Sequence, residues 1–289
     1  MSQFNALQKI NSLDPEKDQW EIVRLSAFYE FPWDFTRSLE LALFRTFAVP
    51  SISSVLAKTR EFEKRTQKRY DDTDLILSEI LENGLQTERA RAALERMNFI
   101  HSNYNISNDD YLYVLSTFVF EPERWMAKYA YRALTPNEKQ AGYKVWQEVG
   151  GLMGIKNIPP TRQELEVFNI EYERKTFIPA PSNHVIAQYT EDLFLGWLLP
   201  KALYGIGRPF LHAIMDKPLL NAVGFSKPNI FIQKLTDGTM SLRKMALKIL
   251  PRRTKPVLRT KHPRKESYPN GYEVKDLGAI KPSGKCPVH

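Results

Sequence analysis

A chain of 289 residues with 43% hydrophobic and 12% aromatic side chains is long enough to bury a sizeable core, which excludes an intrinsically disordered protein. Its single cysteine, Cys286, excludes an intramolecular disulfide and fits a reducing compartment. The formal net charge of +8 is unevenly spread: from Arg243 onward 13 Lys or Arg face three acids, while the first 242 residues carry 28 basic and 30 acidic side chains. The expected division is a near-neutral domain over 1–242 and a basic, Pro-rich tail over 243–289.

In chain order, Asp14-Pro15-Glu16 sets a Pro in a first helical turn, and the helix through Glu21 to Tyr29 should stop near Phe31-Pro32. Asp34 can cap the next helix, whose Leu39, Leu41, Ala42, Leu43 and Phe44 end before Pro50; Ser51 begins another that runs to Phe62. In Arg65 to Thr73, helical spacing would place Arg65, Lys68 and Arg69 on one face, with Asp71 or Asp72 capping a helix Thr73 to Glu82 that Asn83-Gly84 ends. The helix Thr87 to Tyr104 is the one the chain is expected to be organised around. Its Ala90, Ala93, Leu94, Met97, Ile100 and Tyr104 recur with the spacing of a single buried face, and His101 falls inside it. An imidazole there is hydrogen-bonded, ligating, or unfavourably desolvated.

Ser107-Asn108-Asp109-Asp110 opens an apolar helix, Tyr111 to Phe120, that Pro122 should interrupt. Thr135-Pro136-Asn137-Glu138 starts a helix that runs to Gly150-Gly151, and Thr161-Arg162-Gln163-Glu164 is a further capping signal. Residues Thr190 to Leu220, rich in Leu, Trp and Phe, form either the second half of the core or an amphipathic surface against lipid. From about Lys255 the Pro, Lys and Arg content favours an irregular segment packed loosely on the body. Period-2 runs are scarce and no repeat is apparent, so the fold expected is all-α, a single multi-helix domain. Tyr111 to Phe120 is about half a membrane span, Lys201 interrupts Leu193 to Gly207, and no secretory signal opens the chain. These features suggest a cytoplasmic protein whose basic tail touches an anionic membrane, with nucleic acid a lesser candidate.

The motif list is short. No Gly-rich phosphate loop, dinucleotide fingerprint, HExxH, zinc-spaced cysteine pair or GxSxG is present. Of five histidines, His262 and His289 lie in the tail, so a three-His metal site would have to join His101, His184 and His212, which no spacing supports. A haem held by one histidine asks only for one ligand on one helix, an apolar pocket and cations for the propionates. His101 meets the first demand. Arg124 is either an ion-pair partner or a propionate ligand, and Arg96 lies about 140° round the helix from His101.

The stretches RTQKRYDDT (Arg65 to Thr73), RMNFIHSNYNISNDDYLYVLSTFVFEPERW (Arg96 to Trp125) and VWQEVGGLMGIKNIPP (Val145 to Pro160) resemble the MpaB/rubber oxygenase family, which includes the latex-clearing proteins. The likeness runs from about Trp20 to Phe225 and is strongest to the MpaB branch. It implies an all-α domain with one haem b, its iron held by His101, performing dioxygenase-type cleavage of a C=C bond in an apolar, isoprenoid substrate with O2. In the latex-clearing branch an Arg-x-x-Lys pair supplies distal groups. Arg65 and Lys68 are similar, while the Thr that follows that Lys is Arg69 here. Two other classes stay open: a haem- or lipid-binding helical protein without turnover, and a membrane or nucleic-acid adaptor acting through the basic tail.

Overall fold

A computed structural model describes residues 5–261 and 266–279; Cys286, His262 and His289 lie outside them. Fourteen α-helices and no strand occur among the described residues. They are α1 (Ala6–Ser12), α2 (Gln19–Leu25), α3 (Pro32–Phe47), α4 (Pro50–Thr59), α5 (Glu61–Lys64), α6 (Thr66–Asn83) and α7 (Glu88–His101). Then follow α8 (Asn108–Tyr129), α9 (Pro136–Leu152), α10 (Arg162–Thr176), α11 (Pro181–Gly196), α12 (Tyr204–His212), α13 (Lys217–Val223) and α14 (Ile230–Ile249). The fold is all-α, as its helical periodicity requires.

The start signals work where a hydroxyl precedes the helix. Thr87, Ser107, Thr135 and Thr161 each accept a hydrogen bond from the backbone N–H three residues on, and Thr135 with Glu138 completes a reciprocal box. Gly84, at φ 72°, ends α6. Asp34 is not a cap. Helix α3 already starts at Pro32, and the buried Asp34 carboxylate accepts from Trp125 Nε1 (3.0 Å) and from both terminal nitrogens of Arg243 (2.8 Å each). Nor do Asp71 and Asp72 cap anything: α6 runs unbroken from Thr66, because Gln67 donates to Asp71 (3.0 Å) and Lys68 to Asp72 (2.8 Å) along the helix at i, i+4.

The organising element is α8 rather than α7. Fourteen of its 22 residues are buried, and it spans both hydrophobic cores. Leu112, Leu115, Val119 and Phe120 enter the first core, with α2, α6, α7 and α9. Trp125, Met126 and Tyr129 enter the second, with α3, α11 and α13. Pro122 does not break it. An interior Pro costs about 3 kcal/mol, whereas burying Phe120, Trp125 and Met126 on either side contributes roughly 1.5–3 kcal/mol per side chain, so packing wins. Glu121 beside it is clamped by Arg45 and Arg124, both at 2.7 Å.

The C-terminal segment is irregular but tightly held, contrary to the loose packing expected of its composition. Helix α14 carries order to Ile249, past the start of the basic tail. Beyond it Val257 N donates to Phe28 O (2.9 Å), Arg259 pairs with Asp74 (2.9 Å), and Thr260 N donates to Glu82 (3.1 Å). The Tyr272 hydroxyl donates to Glu79, Arg96 Nε donates to Leu277 O (2.7 Å), and the Leu277 side chain is fully buried. Residues 257–261 and 266–279 thus form a strap along α6 that ends on α7. Among the described residues no single helix is long and apolar enough to cross a membrane; α3 with α4 pass that test only as a pair bent by 97°.

Candidate functional site

A cavity of about 460 Å³ opens between α4, α6, α7 and α8, with Gly278 and Ala279 of the strap on its wall. Its lining is apolar: Ile52, Val55 and Leu56 from α4, Ile76 and Leu77 from α6, Met97 and Ile100 from α7, and Val114, Leu115 and Phe118 from α8. The size falls within the range of small-molecule and cofactor sites, roughly 300–1,000 Å³.

His101 occupies the last turn of α7 and lines this cavity. The Thr87 cap fixes where α7 begins, and Ala90, Ala93 and Leu94 seat its inner face in the first core, so the last turn presents the imidazole to the cavity. The ring meets Tyr111 edge-on, with centroids 5.5 Å apart. Its Nδ1 is buried and has no hydrogen-bond partner among the described residues. Burial, with the nearby Arg69 charge, pushes the imidazole down from its ordinary 6.5 to about 4. A helix C-terminus alone would favour the protonated ring, but desolvation dominates here, and His101 is neutral throughout the physiological range.

Among the described residues Arg69 is the only Lys or Arg on the cavity wall. Its guanidinium sits over the Phe62 ring at 5.4 Å and donates to the Thr73 hydroxyl. No ion pair to it occurs among the described residues, and burial holds its pKa below the usual arginine value. Arginine nevertheless keeps its proton, so a mostly apolar cavity, with Glu61, Asp72 and Asp110 also on its wall, contains one cation with donors to spare.

The other expected site residues lie elsewhere. Arg65 precedes α6 with non-helical backbone, which takes it off the face it was expected to share with Lys68 and Arg69; it pairs with Glu61 on the surface. Lys68 points to the strap. Its Nζ donates to Asp72 (2.8 Å), Tyr268 Oη (2.8 Å) and Gly278 O (3.2 Å), which employs all three of its N–H groups. Lys68 does not line the cavity, although Asp72 and Gly278, two of its partners, do. Arg124 donates to Glu121 (2.7 Å) and Asn169 (2.6 Å) within a buried network on α8 and α10, away from the cavity.

His101, His184 and His212 are not brought together. His184 Nδ1 contacts Val223 O (3.0 Å); His212 bridges Ser226 O (2.9 Å) and Glu191 (2.7 Å). Among the described residues no group of three His, Cys, Asp or Glu is placed to hold a metal ion. Sequence reasoning missed Tyr70 and the strap residues Gly278 and Ala279 as cavity lining. Tyr70 stands inside the charged stretch Arg65 to Thr73, which reads as a cation face rather than as a cavity wall. Gly278 sits some 180 residues from the helix it touches, beyond the reach of any local pattern.

Residues 35–229, which include α4, α6, α7 and α8, match the family described as ER-bound oxygenase mpaB/B'/rubber oxygenase, catalytic domain. The chain is 31% identical over 253 residues to the ER-bound oxygenase mpaB' of Penicillium brevicompactum, covering 81% of this chain and 60% of that protein. It is 30% identical over 226 residues to the mpaB of Penicillium roqueforti (strain FM164), covering 72% and 76%. To the mpaB of Penicillium brevicompactum it is 32% identical over 198 residues, covering 62% and 50%. The chain thus spans between half and three quarters of the length of these relatives.

Proposed function

The chain belongs to the ER-bound oxygenase mpaB/B'/rubber oxygenase family, and from that premise we propose that it is a haem b-dependent oxygenase that uses O2 to cleave a C=C bond of an apolar, isoprenoid-type substrate to carbonyl products. The observation that carries this reading is a neutral His101 on the wall of an apolar cavity, with no hydrogen bond to either ring nitrogen among the described residues and with Nδ1 buried in protein, which leaves Nε2 as the nitrogen open to a ligand. A buried imidazole with no partner loses hydrogen-bonding free energy unless something else engages it, and a neutral ring with a free lone pair is the donor that haem iron takes. The residues present therefore fit the group: one histidine, apolar walls, and one arginine for a carboxylate.

Haem held by His101 would supply the iron that activates O2 toward an alkene. The chain's own residues do the rest. His101 stays deprotonated because the cavity desolvates it and Arg69 repels a second positive charge. The Arg69 guanidinium, over Phe62 and without an ion pair among the described residues, is placed to neutralise a carboxylate or to stabilise negative charge developing on oxygen inside the cavity. Val55, Leu56, Val114 and Phe118 exclude water and contribute about 25 cal/mol per Å² of apolar chain they cover. Lys68 acts through others, tying Asp72 and the Gly278 carbonyl together and so holding the strap against the cavity. Peripheral contact with an anionic membrane belongs to this reading, since an isoprenoid substrate partitions into lipid and the relatives are named ER-bound.

The test is oxygen consumption by haem-loaded protein given a prenylated alkene, with products trapped as hydrazones and identified by mass. The reading predicts two carbonyl fragments per O2, and none from Arg69→Ala at the wild-type rate. Haem-loaded protein that consumes no oxygen above background with any prenylated alkene would instead be a binding protein without turnover.

A further inference from the structure

Helix α14 is apolar on two opposite faces, and only one of them meets protein among the described residues. Inward, Thr236 is buried, Met240 and Leu247 pack on the second core, and Arg243 is clamped to Asp34. Outward, Phe231, Leu235, Leu242, Met245 and Ile249 fall at i, i+4, i+11, i+14 and i+18, within about 40° of one line along the helix. They are 70%, 46%, 64%, 59% and 87% exposed. Gly238 takes the remaining position on that line, so no polar side chain interrupts a stripe about 30 Å long. Scattered exposed hydrophobics are ordinary, but a continuous row of this length marks an interaction surface.

Charge identifies the partner. Between residues 227 and 261 there are ten Lys or Arg and one acid, Asp237. Lys234, Lys244 and Lys248 make no ion pair among the described residues. By the helical period Lys234 and Lys248 flank the stripe on one side, about 60° and 100° from its centre. A two-fold contact with a second copy would bring these uncompensated cations toward their own images. Nucleic acid would meet the cations but leave the apolar row in water. A bilayer with anionic headgroups satisfies both: apolar side chains enter the headgroup–acyl boundary while lysines stay among the phosphates.

We propose that α14 is an in-plane docking helix that lays Phe231, Leu235, Leu242, Met245 and Ile249 into the surface of an anionic bilayer. This deepens the membrane contact in the functional reading by naming the surface. The Asp34 carboxylate, bonded to both Arg243 and Trp125, ties α14 to α3 and α8, so the helix docks with the whole domain.

The full chain is sedimented with vesicles of phosphatidylcholine alone and with about 30% phosphatidylserine. Binding is expected to the anionic vesicles and to be lost in Leu242→Glu/Ile249→Glu. Lys234→Gln/Lys248→Gln lowers it about 30-fold, the factor for two lysines near an anionic surface. All four positions are partly or fully solvent-facing, so circular dichroism and the melting temperature of both variants should match wild type. Failure of wild type to bind anionic vesicles overturns the proposal, as does undiminished binding by Leu242→Glu/Ile249→Glu. So does a wild-type dimer in equilibrium sedimentation that this variant makes monomeric, which would assign the stripe to self-association. Haem absorbance is read separately, so loss of vesicle binding with an intact haem spectrum rejects the docking helix and leaves the oxygenase reading standing.

Discussion

Gly278→Ala tests whether the strap is a fitted wall of the cavity. Gly278 has φ +94°, and an added Cβ would lie 2.3 Å from Ile100 Cδ1 and 3.0 Å from Ile100 Cγ1. The backbone term is about 1–3 kcal/mol for a non-Gly residue held in so sparsely populated a region. Overpacking against α7 adds about 1–3 kcal/mol. Both terms fall where the strap end meets α7, so the expected response is release of the strap end rather than loss of the fold. Hydrogen exchange should then accelerate at the amides of 266–279, while the core amides of α8 keep their protection. Ile100→Val removes Cδ1 and leaves the backbone term, so in the double variant part of the loss, about 1 kcal/mol, should return as a coupling energy. Gly278→Ala within about 0.5 kcal/mol of wild type in urea unfolding, with unchanged strap exchange, would refute this picture of the cavity wall.

Acid should expose the buried imidazole. Folded His101 takes its proton near pH 4 and the unfolded side chain near 6.5, so lowering the pH through that window favours the unfolded chain, by up to about 3 kcal/mol; His101→Leu should flatten the stability–pH curve of the haem-free protein between those values. Arg69→Met removes a desolvated cation that makes no ion pair among the described residues and should raise the His101 pKa, read from its imidazole proton shifts by NMR; an unmoved titration would mean that Arg69 does not act on the ring. Asp34→Ala leaves Arg243 and Trp125 Nε1 without their shared acceptor and should cost about 3 kcal/mol in urea unfolding. A loss under 1 kcal/mol would show that Asp34 does not anchor α14.

Helix starts marked by Thr or Ser were legible because an N-cap is a local contract between one hydroxyl and an amide three residues on, as at Thr87 and Thr135. Breaks were read less well. Pro122 and the Asp71-Asp72 pair are stop signals in isolation, and both lie inside helices because long-range packing and i, i+4 side-chain bonds outweigh them. Of the site, the placement of His101 on an apolar wall followed from periodicity, and Arg69 came with the charge cluster. What periodicity could not tell apart was Arg69 from its neighbours. A single non-helical residue at 65 and a strap 200 residues downstream decide that Arg65 faces solvent and Lys68 faces Tyr268. The double apolar character of α14 was hidden for the same reason: its composition shows that it is apolar, but only the fold shows which side is covered.

The most direct measurement is the absorption spectrum of the purified chain after equilibration with hemin, beside that of His101→Ala at matched helical circular dichroism. A haem held by the imidazole predicts a sharp Soret band titrating to one haem per chain in wild type and lost in the variant. A wild-type protein that stays colourless, or a variant that keeps the full band, contradicts the account.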